Sequence, residues 1–251
     1  MSRRRFYASP DNITDLGVTL SSEETHHLTH VLRMTPGDQA FVFDGCDHEY
    51  RCTFRGIKDN RAHLDLAESL SDVVESPLQL ILAQSLVKGE KFDFIIQKAT
   101  ELGVSRISPL ITRYAEAKIE EQQIERRLER WRRISLEALK QCGRRRLVDI
   151  SAPRTLTQFI ADVPGTALLL LSERGGVTLT KILEGITNSR SIAALVGPEG
   201  GWSDHELELL TASGATPITL GRRVLRTETA ALAAIALIQH MKGDLSVEGI
   251  E

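Results

Sequence analysis

The chain has 251 residues, 41% of them hydrophobic and 26% charged, a balance that excludes disorder of the whole chain and fits one large domain or two modest ones. The net charge of −3 argues against a nonspecific nucleic-acid coat. The charge is uneven, however. Residues 73–146 carry 15 basic and 10 acidic side chains, so a local basic surface remains open to an anionic partner.

The longest apolar stretches, 167–171 and 230–238, fall far short of the ~20 residues of a membrane span. The opening residues, with Arg3, Arg4 and Arg5, have charge but no apolar core, unlike a secretory signal. Cys46, Cys52 and Cys142 are odd in number and form no C-x-x-C pair, which speaks against a disulfide framework or a structural zinc. A cytoplasmic protein with no membrane attachment is the expectation.

The first 72 residues read as β-rich. Ser21 or Ser22 caps a helix expected over 23–34, whose Leu28, Val31 and Leu32 share a face. Pro36-Gly37-Asp38 is a turn. Three period-2 runs follow, around Phe41 and Phe43, around Tyr50, Cys52 and Phe54, and around Ala62, Leu64 and Leu66. They predict an antiparallel meander or small barrel. The polar stretch 69–77 ends in proline, and the domain boundary is placed there, giving domains 1–72 and 73–251.

From Leu78 onward, strands alternate with helices. Residues 78–85 form a continuous apolar run, as expected of a strand buried on both faces. A helix is predicted over 91–102, with Gly103 as its stop, and then a strand over 104–111. A long charged helix spans 120–141. Short strands at 167–171, 192–196 and 218–220 are interleaved with helices at 203–212 and 227–241. The pattern predicts an α/β domain with a mostly parallel sheet. The apolar, alanine-rich 230–237 segment predicts a helix buried on several sides.

Three constellations carry candidate chemistry. In the first, the strand ending at Leu195-Val196 runs into Gly197-Pro198-Glu199-Gly200-Gly201. A helix start follows, with Ser203 and Glu206 spaced as a capping box and Trp202 and Leu207 as a hydrophobic staple. Ligands of open α/β sheets sit beyond the carboxyl ends of strands, where such loops lie, although a tight turn with no ligand would read the same way. In the second, Leu220-Gly221 leads into Arg222, Arg223 and Arg226, then Glu228 and the buried helix; these arginines read either as a site or as a solvated face. In the third, Arg126–Arg133 and Arg144-Arg145-Arg146 lie on and just after the charged helix. They fit a phosphate contact or a solvated surface equally. His26, His27 and His30 lack the H-E-x-x-H pattern, so no metal site is expected. P-loop, G-x-G-x-x-G and G-x-S-x-G motifs are absent, which leaves an NTP-dependent enzyme, the common dinucleotide fold and a serine hydrolase without support.

Taken together, these motifs resemble the RsmE family of small-subunit ribosomal RNA uridine-N3 methyltransferases, in the SPOUT superfamily. The resemblance runs from Arg4-Arg5-Phe6-Tyr7 through His27-Leu28, Val31-Leu32-Arg33 and Pro36-Gly37-Asp38. It continues over 98–104, Gln141-Cys142-Gly143-Arg144 and Gly197-Pro198-Glu199-Gly200-Gly201, and ends at Leu225-Arg226-Thr227-Glu228-Thr229-Ala230. Lys140 stands where many relatives carry an acid, and Leu147-Val148 where a proline is common. The resemblance implies a small PUA-like β-barrel that binds RNA, followed by a SPOUT α/β methyltransferase domain with a trefoil knot, a topology that general rules of chain threading disfavour. It implies S-adenosylmethionine as cofactor and a homodimer. The target implied is N3 of uridine 1498 in 16S rRNA, presented by the assembled 30S subunit. A noncatalytic RNA-binding or ribosome-assembly protein on the same fold is the alternative.

On this reading Arg226, Glu199 and Glu228 are the catalytic candidates: a cation to stabilise an imidate and a carboxylate to orient the base or accept a proton. Leu195, Gly197, Gly200, Leu220, Gly221, Leu225 and Thr229 are the cofactor-binding candidates. Arg3, Arg4, Arg5, Arg33, Arg144, Arg145 and Arg146 are the expected RNA contacts.

Overall fold

The structure, a computed structural model, describes residues 4–71, 74–117, 119–187 and 190–246. It divides into two compact units, Met1–Glu75 with Leu136–Leu147, and Ser76–Ser135 with Val148–Glu251. The expected boundary between residues 72 and 73 lies outside the described residues.

The first unit contains β1 (Arg5–Tyr7), β2 (Ile13–Thr14), β3 (Gly17–Thr19), α1 (Ser22–His26), β4 (Gln39–Phe43), β5 (Glu49–Lys58) and β6 (Arg61–Leu70). They build a six-stranded sheet in the order β1-β4-β5-β6-β3-β2. Only β1 and β4 pair in parallel; the rest is antiparallel. The three predicted period-2 runs are β4, β5 and β6, and their inward residues Val42, Cys52, Phe54, Ala62 and Leu64 pack with Phe6, Val18 and Leu28. Asp59 and Asn60 join β5 to β6 with φ of 51° and 58°. Two consecutive left-handed residues match the strand twist in a two-residue hairpin, and Asp and Asn tolerate that conformation.

Ser21 caps α1, its hydroxyl accepting from the Glu24 N–H at 3.2 Å. The helix expected to reach residue 34 is regular only to His26, and a π-helical turn covers His27–Val31. There the Thr29 hydroxyl donates to the Thr25 carbonyl at 2.8 Å, a local bond that competes with the helical ladder. Arg33, at φ 50°, then turns the chain out of the helix.

In the second unit the elements alternate: β7 (Gln79–Ser85), α2 (Glu90–Glu101), β8 (Arg106–Leu110), α3 (Ile124–Cys142), β9 (Asp149–Ile150), α4 (Leu156–Asp162), β10 (Ala167–Leu171), β11 (Val177–Thr178), α5 (Leu179–Gly185), β12 (Ser191–Val196), α6 (Asp204–Ala212), β13 (Thr216–Thr219) and α7 (Thr227–Lys242). The end of α3 belongs to the first unit. The seven strands are all parallel, in the order β11-β13-β10-β12-β7-β8-β9, as the βαβ alternation predicts.

Both faces of the sheet are covered, which explains the apolar runs of β10 and β12 and the apolar middle of β7. Leu80 and Leu82 of β7, with Ile192, Ala194 and Val196 of β12, pack on one side with Phe92, Ile95 and Ile96 of α2 and Ala231, Ile235 and Ile238 of α7. The intervening Ile81, Ala83, Ala193 and Leu195 pack on the other side with Leu156 and Phe159 of α4 and Leu210 of α6. Side chains of period 2 thus feed two cores. Helix α7 is buried along one stripe rather than all round, and Leu237 on its outer side is 45% exposed. Among the described residues no helix is long and apolar enough to cross a membrane.

Candidate functional site

The carboxyl ends of β10, β12 and β13 are neighbours in the sheet, and the loops that leave them enclose one cleft of about 570 Å³. That is within the ~300–1,000 Å³ of small-molecule sites. Three segments supply the walls: Leu171–Arg174 after β10, Val196–Trp202 without Gly200 after β12, and Ile218–Thr227 at the end of β13 and beyond. Lys91, from the first turn of α2, closes one side.

The loops are tied to one another. The Trp202 indole N–H donates to the Leu171 carbonyl at 3.1 Å, and the Ser172 N–H to the Ile218 carbonyl at 3.0 Å. At the start of α7 the Thr227 hydroxyl donates to the Gly197 carbonyl at 2.8 Å and accepts from the Gln84 amide at 3.0 Å. Gln84 is fully buried in β7, so this chain of bonds anchors the β12 loop to the middle of the sheet. The Ser203–Glu206 capping box forms as predicted, and the other Glu206 oxygen accepts from the Arg113 N–H at 2.8 Å.

Two glycines are needed for the shape of the cleft. A Cβ on Gly197 would lie 2.9 Å from Trp202 Nε1, so only glycine lets the loop pass the indole. Gly221 sits at φ 112°, where no atom would meet a Cβ within 4 Å. Its left-handed backbone opens the loop toward the cleft.

Several predicted site residues meet here. Gly197, Glu199, Leu220, Gly221, Leu225 and Arg226 all line the cleft. Four do not line it. Leu195 is fully buried in β12, one residue short of the wall. Gly200 lies against Tyr114. Thr229 is exposed on α7. Glu228 stands beside the cleft with one carboxylate oxygen buried and without a hydrogen-bond partner among the described residues.

Lys91 pairs with Glu199. Its ammonium is held above the ordinary lysine range, first by that hydrogen bond and further by the negative charges of Glu199 and Glu228. Lys91 therefore feels the charges of Glu199, Glu228 and Arg226. Sequence reasoning misses Lys91, for which no motif speaks, and Trp202 and Thr227 as wall residues. It also misses 171–174, although the end of any strand in such a sheet is a place to look.

The site can hold a flat ring against Leu171, Val196, Ile218, Leu220 and Leu225, with loop backbone groups for its polar edge. Glu173 and Glu199 offer carboxylates to a ligand bearing positive charge. S-adenosylmethionine, with an adenine, a sulfonium and an ammonium, fits that donor set.

The predicted RNA contacts divide by exposure. Arg5 is buried: its guanidinium donates to Glu49 at 2.6 Å and to the Leu139 and Arg144 carbonyls at 2.6 and 3.0 Å, and lies over the Phe43 ring. Arg145 is buried on the same Glu49 at 3.2 Å, and Arg144 pairs with Glu75 at 2.7 Å. These three departures from the expectation have one cause: the arm 136–147 docks in the first unit through buried ion pairs, so the guanidiniums are committed to internal carboxylates. Arg4, Arg33 and Arg146 are exposed. Arg4 and Arg146 meet Asp38 and Asp47 in surface pairs, and Arg33 has no ion pair among the described residues. Arg3 lies outside the described residues.

Residues 74–239 match a family model described as an RNA methyltransferase domain, and residues 20–67 one described as an RNA methyltransferase PUA domain. The chain is 36% identical over 240 residues to ribosomal RNA small subunit methyltransferase E of Synechocystis, which covers 94% of this chain and 77% of that protein. It is 30% identical to the protein of the same name from Bacillus subtilis, over 90% and 92%. Among solved structures it is similar to a Legionella pneumophila methyltransferase in complex with S-adenosylmethionine, with 34% identity, coverage of 98% and 100%, and a TM-score of 0.89. It is also similar to ribosomal RNA small subunit methyltransferase E of Neisseria gonorrhoeae bound to S-adenosylmethionine, with 32% identity, coverage of 97% and 99%, and a TM-score of 0.87.

Proposed function

This chain belongs to the ribosomal RNA small subunit methyltransferase E family, and from that premise we propose that it methylates N3 of one uridine, number 1498 of 16S rRNA, in the assembled 30S subunit. It is an S-adenosylmethionine-dependent ribosomal RNA methyltransferase. The observation that carries the finer reading is the convergence of Arg226 and Glu199, from two separate loops, on the cleft that fits the cofactor.

S-adenosylmethionine supplies an electrophilic methyl group, so the protein need only position the acceptor and remove one proton. The uridine N3–H is a weakly acidic imide. Arg226 places its guanidinium where the negative charge of the imidate develops. Glu199, aimed by Lys91, accepts the proton from N3. Glu228 does not line the cleft, and we assign it an orienting role through its charge on Lys91. Leu220 and Leu225 would flank the adenine, and the backbone at Gly197 and Gly221 would meet its polar groups. Leu195, near the end of β12, and Gly200, in the loop that follows, would support that wall, and Thr229 lies just beyond it on α7.

In the first unit the exposed Arg4, Arg33 and Arg146 are the phosphate contacts we retain, Arg146 standing on the 136–147 arm. Residues 73–251, apart from that arm, carry the methyltransferase site and the knotted path the family implies. The half-buried Leu232, Ala233 and Ala236 and the exposed Leu237 on the outer side of α7 form the homodimer face, in a protein that works in the cytoplasm beside its ribosomal substrate.

Arg226→Ala tests the assignment. Methyl transfer to 30S subunits falls at least about tenfold, the usual scale for losing a group that stabilises developing charge, while S-adenosylmethionine affinity by calorimetry holds. Unchanged turnover refutes the role of Arg226. Loss confined to cofactor affinity reassigns it to binding.

A further inference from the structure

The loop between β13 and α7 does more than wall the cleft. Arg222, Arg223 and Val224 are exposed on its rim. Among the described residues neither Arg222 nor Arg223 has an ion pair or a side-chain hydrogen bond. Two nearby charges have partners elsewhere: Glu199 pairs with Lys91, and Arg174 with Asp204 at 2.7 Å. Val224, next to them in the chain, is 77% exposed, whereas its neighbour Leu225 is half-buried. The loop thus lines the cleft and presents at its rim two exposed guanidiniums, without an ion pair among the described residues, and one bare aliphatic group. Its shape is held from within: Gly221 turns the chain at φ 112°, and the Thr219 hydroxyl bonds to the Gly221 backbone at 3.0 and 3.3 Å.

A single exposed valine or arginine needs no explanation. Here two guanidiniums and an aliphatic side chain are presented together at the mouth of a site that must receive one nucleotide out of its stack. An enzyme that acts on a base must hold the strand on either side of the extruded nucleotide and cover the neighbouring base left exposed. We propose that this rim is a second RNA-binding surface: Arg222 and Arg223 grip the phosphates flanking the target nucleotide, and Val224 packs on the adjacent base. The proposal rests on the methyltransferase reading of the cleft and names how that site takes its strand.

The test is binding of purified small ribosomal subunits at fixed magnesium while monovalent salt is varied. Each phosphate contact on a single strand contributes about 0.7 to the slope of log affinity against log salt. R222A/R223A should therefore flatten the slope by about 1.4, and R222K/R223K should restore it, since lysine also binds phosphate as a point charge. V224A should weaken binding up to about tenfold at every salt concentration, the scale for losing two buried methyl groups, with the slope unchanged. An unaltered slope in R222A/R223A overturns the phosphate assignment, and an unaltered affinity in V224A overturns the packing assignment. Calorimetry of the wild type with S-adenosylmethionine is run alongside. If no cofactor binds, the methyltransferase reading falls, while the salt slope still decides the rim.

Discussion

Thr227 is the residue through which the sheet holds the cofactor loop, and Thr227→Val isolates that role. Valine keeps the shape and removes the hydroxyl. Two bonds go: the 2.8 Å donation to the Gly197 carbonyl and the 3.0 Å acceptance from Gln84. Thr227 is 6% exposed and Gln84 0%, so water does not readily replace either. At about 1 kcal/mol per buried hydrogen bond, with a further cost for a donor left unmatched, the loss is about 2–3 kcal/mol. Gln84→Leu removes only the second bond from this chain, together with the Gln84 donation to the Ser85 carbonyl. The double variant should therefore cost less than the sum of the singles by about 1 kcal/mol, the bond they share. Urea unfolding followed by tryptophan fluorescence suits the measurement, because Trp131 and Trp202 both lie in the second unit. Costs that add to within about 0.3–0.5 kcal/mol would show that the two residues are not coupled, and the anchoring argument would fail.

The remaining predictions concern the first unit and the cleft. Glu49→Ala leaves Arg5 and Arg145 buried without their shared carboxylate, and should cost about 3–5 kcal/mol, read as faster amide exchange in β4 and β5; a loss below about 1 kcal/mol would mean the arginines find other partners. His27 is held below its ordinary 6.5, first by burial and then by the Lys140 charge. Its neutral form is the one the fold favours, so its contribution is present above pH 6.5 and is lost as pH falls through the lower folded value. The stability difference between wild type and His27→Gln should shrink over that acid range, and a pH-independent difference would contradict the assignment. Burial pushes the Cys52 thiol up to about 12, while Cys46 and Cys142 are exposed. A thiol reagent should label the latter two in the native protein and Cys52 only in denaturant. Gly197→Ala places a methyl against the Trp202 ring, and should weaken S-adenosylmethionine binding with a change in Trp202 emission. Unchanged affinity would show that the loop can move aside.

Much of the second unit was legible because its signals are local. Strands buried on both faces are mostly apolar runs, and the Ser203–Glu206 cap is written in residues three apart. The walls of the cleft were half legible. Loops marked by glycine, Glu199 and Arg226 could be named, but 171–174 and Lys91 reach the cleft through sheet order and helix placement, which no local pattern encodes. The arginines show the limit most clearly. Arg144, Arg145 and Arg146 are identical in type and adjacent in sequence, yet two are buried on Glu75 and Glu49 and one is exposed. Those carboxylates are roughly 70 and 96 residues away in the chain; the bonding is long-range, so the sequence alone shows only charge. The helix that the sequence predicts over 23–34 is longer than the one that forms, because Thr29 offers the backbone a competing bond that hydrophobic spacing does not register.

The most direct measurement is to incubate the purified protein and S-adenosylmethionine with small ribosomal subunits from cells that lack it. The RNA is then digested and its nucleosides examined by mass spectrometry, with deproteinised RNA in parallel. New 3-methyluridine from the subunits alone is the predicted result. A methylated nucleoside other than 3-methyluridine, or none at all from subunits while the cofactor still binds, would contradict the assignment of the uridine N3 as the acceptor.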